Sequence, residues 1–232
     1  MKRQFVRTED GSITLYVPAL HEHYHSIHGA IQESVHIFIR AGIEFYLQSH
    51  STDFPLSELT ILEAGFGTGL NAYLSLLYAE EQKVRIQYYG IEKYPLTVEE
   101  TQQLNYKAQI SAKKPDLFDQ LHCCPWETEN RIGSFFCLYK QQGDFREICF
   151  EPRFDLIFFD AFNPDIQPYL WTEEVFRNFY KVLKPEGVLV TYCVKGVVKR
   201  ALRKVGFTVE KLPGPPGKRE ILRARKTLSE KK

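Results

Sequence analysis

A glycine-rich run between an apolar segment and an amphipathic one has residue types suited to holding a ligand. The run EAGFGTG spans residues 63–69, follows TIL and precedes LNAYLSLLYAEEQ. Glycine lets the backbone turn sharply and come close to a bound molecule, and the first N–H groups of a following helix have no helical partner. A turn of this kind can bind a dinucleotide or a phosphate, or bind nothing, so its details must decide.

The spacing and charge of this run favour a cationic nucleoside. No Lys-Ser or Lys-Thr follows the glycines, which disfavours a nucleoside triphosphate site. GFGTGL also differs from the GxGxxG of dinucleotide enzymes, in which the third glycine lies three positions after the second. Glu63, just before the turn, suits positive charge and would repel a pyrophosphate. S-adenosylmethionine carries an ammonium and a sulfonium, and methyltransferases place an acidic residue here near its methionine part, so we predict this cofactor.

Two later strands end near carboxylates that would complete a nucleoside site. Glu92 ends the strand RIQYYGIE, where such folds bind both ribose hydroxyls with one carboxylate. Asp144 follows the next strand in the run Gly-Asp-Phe. Its carboxylate could accept from the adenine amino group with Phe145 packed nearby, or it could be a simple turn aspartate, and the sequence leaves both interpretations open.

A fourth carboxylate, Asp160, ends the apolar strand FDLIFFD and is followed by Ala-Phe-Asn-Pro. A carboxylate at the end of a central strand lies over the ligand crevice, and a following aromatic and proline shape a floor for an acceptor. The alternative, that Asp160 only caps the following loop, is less favoured, because the glycine turn, Glu92 and Asp144 precede it in the order expected for a cofactor site. We therefore predict Asp160 as catalytic, and we predict the cofactor-binding set Glu63, Gly65, Phe66, Gly67, Thr68, Gly69, Asn71, Glu92, Asp144 and Asp160.

Apolar runs and helical patterns alternate along the chain, which indicates an α/β fold. Strands are predicted at TILEAG, RIQYYGIE, FFCLYKQQGD, FDLIFFDAF, GVLVTYCV, FTVEKLPG and EILRAR. Helices are predicted at 34–50, 69–82, 98–110, 171–183 and 198–206, with Pro185 and Gly187 stopping the fourth of them. The prediction is a Rossmann-like, mostly parallel seven-stranded sheet with flanking helices, and a ligand at the carboxyl ends of its strands.

Length and composition fit one large α/β domain with a small appendage: 232 residues, 44% hydrophobic and 25% charged. We predict an N-terminal extension over 1–50 packed on or near the active site, a methyltransferase domain over 51–226 and a basic tail over 227–232.

No long apolar run or signal peptide occurs, so a soluble, cytoplasmic protein without membrane contact is expected. Five cysteines without a CxxC pair predict free thiols, and the isolated HEHYH run is too weak to predict a metal.

Charge is unevenly distributed although the net charge is only +1. From Lys195 onward there are 13 Lys and Arg against three Glu, so the rest of the chain sums to −9. Such asymmetry favours a face that meets a polyanion, because phosphates are neutralised by local charge. A solvated, basic terminal tail is the alternative.

Several segments resemble one family, the methyltransferase domain of the bifunctional tRNA wobble-uridine enzyme MnmC and its stand-alone form MnmD. They are GFGTGLN, FDLIFFDAFNPDIQPYLWT, LKPEGVLVTYCVKGVVKRALRKVGF, PGPPGKREILRA and the early YHSIHGAIQESVHIFI. The DAF-Pro-Pro-Trp pattern and the GKRE ending are much more specific than the glycine turn. The early segment reads GAIQES where the family more often has a GLAE-type run, which leaves the role of Glu33 open.

The resemblance implies a class I methyltransferase fold and methyl transfer from S-adenosylmethionine to the exocyclic amine of 5-aminomethyl(-2-thio)uridine at the tRNA wobble position. The product would be the 5-methylaminomethyl nucleoside, and the partner the tRNA anticodon stem-loop. The bifunctional members also carry an FAD-dependent oxidase domain. Because this chain ends soon after the methyltransferase pattern, we expect neither FAD nor the oxidation here, and a separate FAD-dependent oxidase would be a further partner.

In that reaction Asp160 would orient the amine and stabilise its growing positive charge rather than act as a strong base. A flipped base needs stacking surfaces, for which Phe162 and Tyr169 are candidates, whereas Trp171 is better assigned to the core. The candidate phosphate contacts are Lys195, Lys199, Arg200, Lys218 and Arg219. The alternatives are a small-molecule methyltransferase, an aminopropyltransferase and a non-catalytic tRNA-binding protein on the same fold.

Overall fold

The computed structural model describes residues 2–50, 58–110 and 116–227. It begins with a small antiparallel sheet of three strands in the order β1-β2-β3, formed by Gln4–Arg7, Ile13–Val17 and Glu22–His23. The sequence analysis predicted no strand in this segment. The three strands are short and their side chains are mostly half-buried, so they carry little of the apolar alternation that reveals a strand.

One helical segment follows and packs on the main sheet. It comprises α1 (Ala30–Ser34), a wider π-helical stretch (Val35–Glu44) and α2 (Phe45–Ser49). The helix predicted over 34–50 is present and begins four residues earlier. Phe38 is buried against the ring of Phe158, with 5.0 Å between the centroids. The segment therefore covers part of the sheet that carries the strand ends.

The main α/β unit contains the remaining elements. Its strands are β4 (Leu59–Ala64), β5 (Ile86–Glu92), β6 (Glu129–Ile132), β7 (Phe136–Gln142), β8 (Phe154–Phe159), β9 (Leu183–Thr191), β10 (Phe207–Pro213) and β11 (Glu220–Lys226). Its helices are α3 (Leu70–Gln82), α4 (Val98–Gln102), α5 (Tyr106–Ile110), α6 (Asp116–Cys123), α7 (Glu173–Val182) and α8 (Gly196–Val205), and short 3₁₀ turns lie at Phe145–Glu147 and Pro168–Leu170.

The strands form one sheet in the order β10-β11-β9-β8-β4-β5-β7-β6. The five central strands are parallel, and every residue of β4 and β8 is buried, as expected for strands covered on both faces. The chain leaves β4 towards β5 on one side, whereas β8 lies on the other side. Ligands bind at such a switch in strand order, which here lies at the carboxyl ends of β4 and β8.

The predicted fold class is correct, but the sheet has eight strands in the described residues rather than seven. The additional strand, β6, pairs antiparallel with β7 at the edge. Its sequence is ENRI, and Ile132 alone in it is buried, so it lacks the apolar pattern by which strands were predicted.

Two predicted helices also differ from the structure. The helix expected over 98–110 is broken into α4 and α5. The fourth helix ends at Val182, before Pro185 and Gly187, and these two residues lie inside β9. Leu183 is fully buried and pairs with Phe154, so packing against β8 ends the helix earlier than the proline would.

Parts of the predicted domain division fall outside the described residues. These are residue 1 of the extension, residues 51–57 and 111–115 of the 51–226 domain and residues 228–232 of the tail. Among the residues that are described, no helix combines the length and apolarity needed to cross a membrane.

Candidate active site

A cavity of about 690 Å³ opens at the carboxyl ends of the central strands. Residues from the whole length of the chain line it. They are residues 22–27 and Glu33 from the N-terminal part, Gly65–Thr68, Leu70, Asn71 and Ile91–Tyr94 from the first half of the sheet, and Asp144, Phe145, Asp160–Asn163, Gln167, Tyr169, Leu170, Tyr192–Lys195 and Lys218–Glu220 from the second half.

The glycine turn forms the floor of this cavity and is held tightly to its neighbours. The backbone N–H groups of Gly65 and Phe66 both donate to the carbonyl oxygen of Ile91, each at 3.0 Å. Gly65 has φ +92°, and a Cβ atom there would lie 2.6 Å from the carbonyl oxygen of Asp160. Only glycine fits such a position, so the turn and the Asp160 backbone come together as one surface.

Glu92 lies at the cavity edge of β5, as the ribose prediction requires. Its carboxylate accepts hydrogen bonds from the backbone N–H of Gly67 at 2.9 Å and of Tyr94 at 2.8 Å. The side chain stays partly exposed in the cavity. Each carboxylate oxygen has a further lone pair, so the fixed carboxylate can still accept two hydroxyl groups.

Asp144 lines the cavity but is already engaged by cations. Arg146 donates to it at 2.9 Å and 2.6 Å, and the Lys93 ammonium lies 3.0 Å away. These contacts hold the pKa of the Asp144 carboxyl well below its usual range, and the hydrogen bond from Arg146 has the largest effect. Its side chain also accepts from the Arg146 N–H and caps the turn Phe145–Glu147, which favours the turn interpretation over adenine recognition.

Asp160 stands over the centre of the cavity, directly after β8. Its backbone N–H donates to Ala64 at 3.0 Å, and one carboxylate oxygen accepts from the Asn71 amide at 2.9 Å. Burial raises the pKa of Asp160 to about 7, with Glu33 acting in the same direction and with Asn71 and Lys218 opposing it. A carboxyl group with this pKa can exchange a proton near neutral pH.

Glu33 and Lys218 form an ion pair in the cavity wall. Glu33 is 8% exposed and also accepts from the Ser26 N–H at 2.9 Å. The ammonium of Lys218 lies 4.1 Å from the ring centroid of Tyr192, within range of a cation–π contact. Lys218 was predicted to contact phosphate, but its charge is paired inside the site. The reason is the packing of the β10–β11 loop on α1, which the sequence does not reveal.

Two predicted cofactor residues do not line the cavity. Glu63 is completely buried behind the glycine turn, and Gly69 caps α3, where a Cβ atom would lie 2.9 Å from the His122 ring. Glu63 therefore acts on the site through its neighbour Asn71, whose amide donates to it at 2.8 Å. Thr68 does line the cavity and lies 3.4 Å from the Nε2 atom of His25.

The predicted aromatic residues lie in different environments. Phe162 is partly exposed in the cavity and packs edge-to-face on Tyr24 at 5.1 Å, a partner that the sequence analysis did not identify. Tyr169 is 48% exposed at the rim, with the Arg146 guanidinium 5.0 Å from its ring centroid. Trp171 is 2% exposed and donates to the Phe162 carbonyl at 2.7 Å, so it packs in the core.

The remaining basic candidates are at the surface. Lys195 lines the cavity and forms an ion pair with Asp165, Arg219 lines it and is exposed, and Lys199 and Arg200 lie on α8. Their places suit a rim that meets an anionic ligand.

Two histidines of the early segment, His23 and His25, line the cavity. His25 is half-buried between Thr14 and Thr68, and desolvation lowers its pKa to about 4, so it is neutral at pH 7. Among the described residues, no group of three His, Cys, Asp or Glu side chains could hold a metal ion. All five cysteines are free thiols.

The residues that the sequence analysis left unassigned are mainly Tyr24, Glu33 and Tyr192. Tyr24 and Glu33 line the cavity and lie in the YHSIHGAIQES segment that resembles the family. That resemblance could have identified both as residues of the site. Tyr192 follows β9, and its hydroxyl donates to the Ala161 carbonyl at 2.9 Å. An aromatic residue at the end of a strand is common, so the sequence did not indicate that Tyr192 belongs to the site.

The residues present suit S-adenosylmethionine. Gly65 and Gly67 have positive φ angles and bring the backbone of the turn to the cavity, and Glu92 supplies a fixed acceptor for hydroxyl groups. Acidic side chains of the lining suit a ligand that carries an ammonium and a sulfonium.

Comparisons with known proteins agree with this geometry. Residues 141–227 match a family model described as an S-adenosyl-L-methionine-dependent methyltransferase. The chain is 30% identical over 230 residues to the tRNA 5-methylaminomethyl-2-thiouridine biosynthesis bifunctional protein MnmC of Azoarcus sp. (strain BH72), covering 94% of this chain and 34% of that protein. It is 29% identical over 208 residues to the protein of the same name from Pseudomonas entomophila (strain L48), covering 86% and 31%.

A solved structure is also similar over most of the chain. The crystal structure of MNMC2 from Aquifex aeolicus matches with a TM-score of 0.76 at 25% identity, covering 96% of this chain and 70% of that one. The chain spans about a third of the length of the curated relatives named above. These comparisons confirm the predicted class I methyltransferase fold and the resemblance to MnmC. They also confirm the general prediction of a methyltransferase that uses S-adenosylmethionine as cofactor.

Proposed function

We propose that this methyltransferase transfers a methyl group from S-adenosylmethionine to the exocyclic amine of 5-aminomethyl(-2-thio)uridine at the tRNA wobble position. The product is the 5-methylaminomethyl nucleoside. The observation that carries the proposal is the position of Asp160: it faces the cavity next to the glycine turn, with a pKa near neutrality. The relatives named for 5-methylaminomethyl-2-thiouridine biosynthesis support this acceptor.

The reaction needs a neutral amine whose lone pair is aligned with the methyl group. S-adenosylmethionine supplies an electrophilic methyl on its sulfonium. The Asp160 carboxylate, held by Asn71, accepts a hydrogen bond from the amine, aligns it and stabilises its growing positive charge. The new C–N bond forms as the S–C bond breaks, and the amine then loses one proton, which Asp160 can accept because its pKa is about 7.

The remaining residues have binding roles in this proposal. Glu92 holds the ribose of the cofactor, the glycine turn supports it, and Asp144 fixes the neighbouring turn. Phe162, Tyr169 and Tyr24 offer faces on which a flipped base can stack. The exposed charge of Arg219 at the rim, with Lys195 nearby in the cavity lining and paired with Asp165, suits phosphates of the anticodon stem-loop.

The domain organisation is part of the proposal. The extension over residues 1–50 contributes Tyr24 and Glu33 to the wall and would serve as the acceptor-side cover of the 51–226 domain. A separate FAD-dependent oxidase would be the partner that removes a carboxymethyl group from the same nucleoside before methylation.

The test is nucleoside mass spectrometry of tRNA that carries 5-aminomethyluridine, after incubation with the protein and methyl-labelled S-adenosylmethionine. We expect one labelled methyl group on that nucleoside, and Asp160→Ala should still bind the cofactor while losing most of this product. Transfer to a free nucleoside but not to tRNA would indicate a small-molecule methyltransferase. Aminopropyl transfer from the decarboxylated cofactor, or tRNA binding without any product, would contradict the proposal in favour of the other two alternatives.

A further inference from the structure

Two buried oxygen atoms next to the cavity have no hydrogen-bond partner among the described residues, Glu63 Oε2 and Asn71 Oδ1. They belong to side chains that already share one hydrogen bond. The Asn71 amide nitrogen donates one hydrogen to Glu63 Oε1 at 2.8 Å and the other to Asp160 Oδ2 at 2.9 Å. Glu63 is 0% exposed and Asn71 is 2% exposed, so both side chains are buried.

An ionised Glu63 leaves this arrangement unsatisfied. A carboxylate and an amide oxygen are both acceptors, so neither can satisfy the other, and a buried unpaired acceptor is costly. A proton on Oε2 turns that oxygen into a donor for Asn71 Oδ1. The carboxylic acid and the carboxamide then form a cyclic pair with two hydrogen bonds, and the two unpaired atoms satisfy each other.

Three groups face Glu63: the Tyr88 hydroxyl from β5, Asp160 after β8 and Glu92 at the end of β5. The two carboxylates disfavour a charge on Glu63, whereas the Tyr88 hydroxyl favours it. Burial raises the pKa of Glu63 well above its usual value, the two carboxylates add to the effect, and the Asn71 hydrogen bond opposes it. The Tyr88 hydroxyl also opposes the rise, although its contact with Glu63 does not have the geometry of a full hydrogen bond.

We infer that Glu63 is a neutral carboxylic acid in the folded protein and that it acts as a positioning residue. It fixes the orientation of Asn71, whose second N–H then holds the Asp160 carboxylate in the cavity. Its charge does not attract the cofactor, which differs from what its place before the glycine turn predicts. The inference concerns the folded chain and does not depend on the identity of the methyl acceptor.

Glu63→Gln is the decisive variant, because glutamine has the shape of the neutral acid and can form the same two hydrogen bonds with Asn71. Calorimetric affinity for S-adenosylmethionine at pH 8 should change by less than about twofold. If an ionised Glu63 attracted the cofactor, loss of its charge would weaken binding by about tenfold or more and overturn the inference. Glu63→Asp, which keeps the acid but shortens it, should weaken binding more than Glu63→Gln does.

Infrared spectroscopy of the wild-type protein reads the proton directly. At pH 9, about two units above the pKa of Asp160, a protonated-carboxyl C=O stretch should remain and should disappear in Glu63→Gln. Absence of such a band at pH 9 would contradict the inference while leaving methyl transfer to tRNA untouched. Tyr88→Phe is the control: the band should persist, and its loss would assign the stabilising contact to Tyr88 instead of Asn71.

Discussion

At the scale of single residues, the chemistry depends on how Asp160 is surrounded. Glu33 from α1, Asn71 from α3 and Lys218 from the β10–β11 loop all act on its carboxyl group. Burial has the largest effect and raises its pKa to about 7. The protein therefore holds a carboxylate that is costly to ionise at the position where the proposed reaction exchanges a proton with an amine.

That cost predicts a stability change in Asp160→Asn. The pKa is raised from 3.8 in the unfolded chain to about 7 in the fold, so the contribution of this group to stability is fully present below pH 3.8 and is lost as the pH rises towards about 7. Removing the charge should therefore raise the melting temperature at pH 8 by more than at pH 5. Calorimetric scans of both proteins at both pH values test this, and an equal change at the two values would contradict it.

The ion pair beside Asp160 predicts opposite shifts in the pH profile of methyl transfer. Lys218→Met removes a charge that lowers the pKa of Asp160, whereas Glu33→Gln removes one that raises it. In the proposed mechanism the ionised Asp160 carboxylate is the active form, so the acid limb of kcat/KM should move to higher pH in Lys218→Met and to lower pH in Glu33→Gln. Lys211→Met is the matched control, because Lys211 pairs with Glu220 and should leave the limb in place. Shifts in the same direction in both site variants would count against this account.

At the scale of elements, the β10–β11 loop joins the C-terminal hairpin to the N-terminal helix. Lys218 reaches Glu33, the His36 ring lies 2.8 Å from the Pro213 carbonyl oxygen, and Gly217 contacts His28. The loop sequence PGPPGK is rich in proline, which restricts the unfolded chain and lowers the entropy lost on folding. The loop thus positions the ammonium of Lys218 by docking on another element.

Gly217→Ala should disturb this docking. Gly217 has φ +82°, and a Cβ atom would lie 2.5 Å from the His28 ring, so the variant is both strained and crowded. We expect a loss of more than about 1 kcal/mol in the free energy of unfolding, measured by urea titration. Gly143→Ala is the control, because a Cβ atom there meets nothing within 4 Å and φ is not in the left-handed region. Equal stability of the two variants would show that the loop does not depend on this contact.

At the scale of the whole molecule, the fold neutralises much of the charge asymmetry seen in the sequence. Many cations from Lys195 onward lie in ion pairs: Lys195, Lys204, Lys211, Lys218, Arg223 and Arg225. Arg200, Arg203 and Arg219 are exposed and form no ion pair within the described part of the chain. Of these three, Arg219 lines the cavity, so it is the cation best placed to meet a phosphate of the proposed tRNA substrate.

Arg219→Glu should therefore weaken tRNA binding and reduce its dependence on salt. Loss of one phosphate contact lowers the slope of log K against log salt by about one, and charge reversal adds repulsion. Lys83→Glu is the control, because Lys83 caps the far end of α3, away from the glycine turn. Binding isotherms at several salt concentrations test this, and equal effects of the two substitutions would argue against a phosphate contact at Arg219.

Local sequence patterns were sufficient to predict which strand ends carry chemically active residues. Buried parallel strands read as continuous apolar runs, so β4 and β8 could be recognised, and the residues just after them include Gly65 and Asp160. The glycine requirement is local, because it depends on the turn itself. Edge strand β6 was not predicted, because only one of its four residues is buried and its sequence therefore lacks an apolar pattern.

The way in which these residues act together depends on contacts between distant parts of the chain. Glu33 and Lys218 lie near opposite ends of the chain and meet through the docking of a loop on a helix. Glu63 was identified as an acidic residue before the turn, but its complete burial and its pairing with Asn71 depend on the packed layers around β4. Charge, protonation and pairing follow from burial and from neighbours distant in sequence, which no local pattern contains.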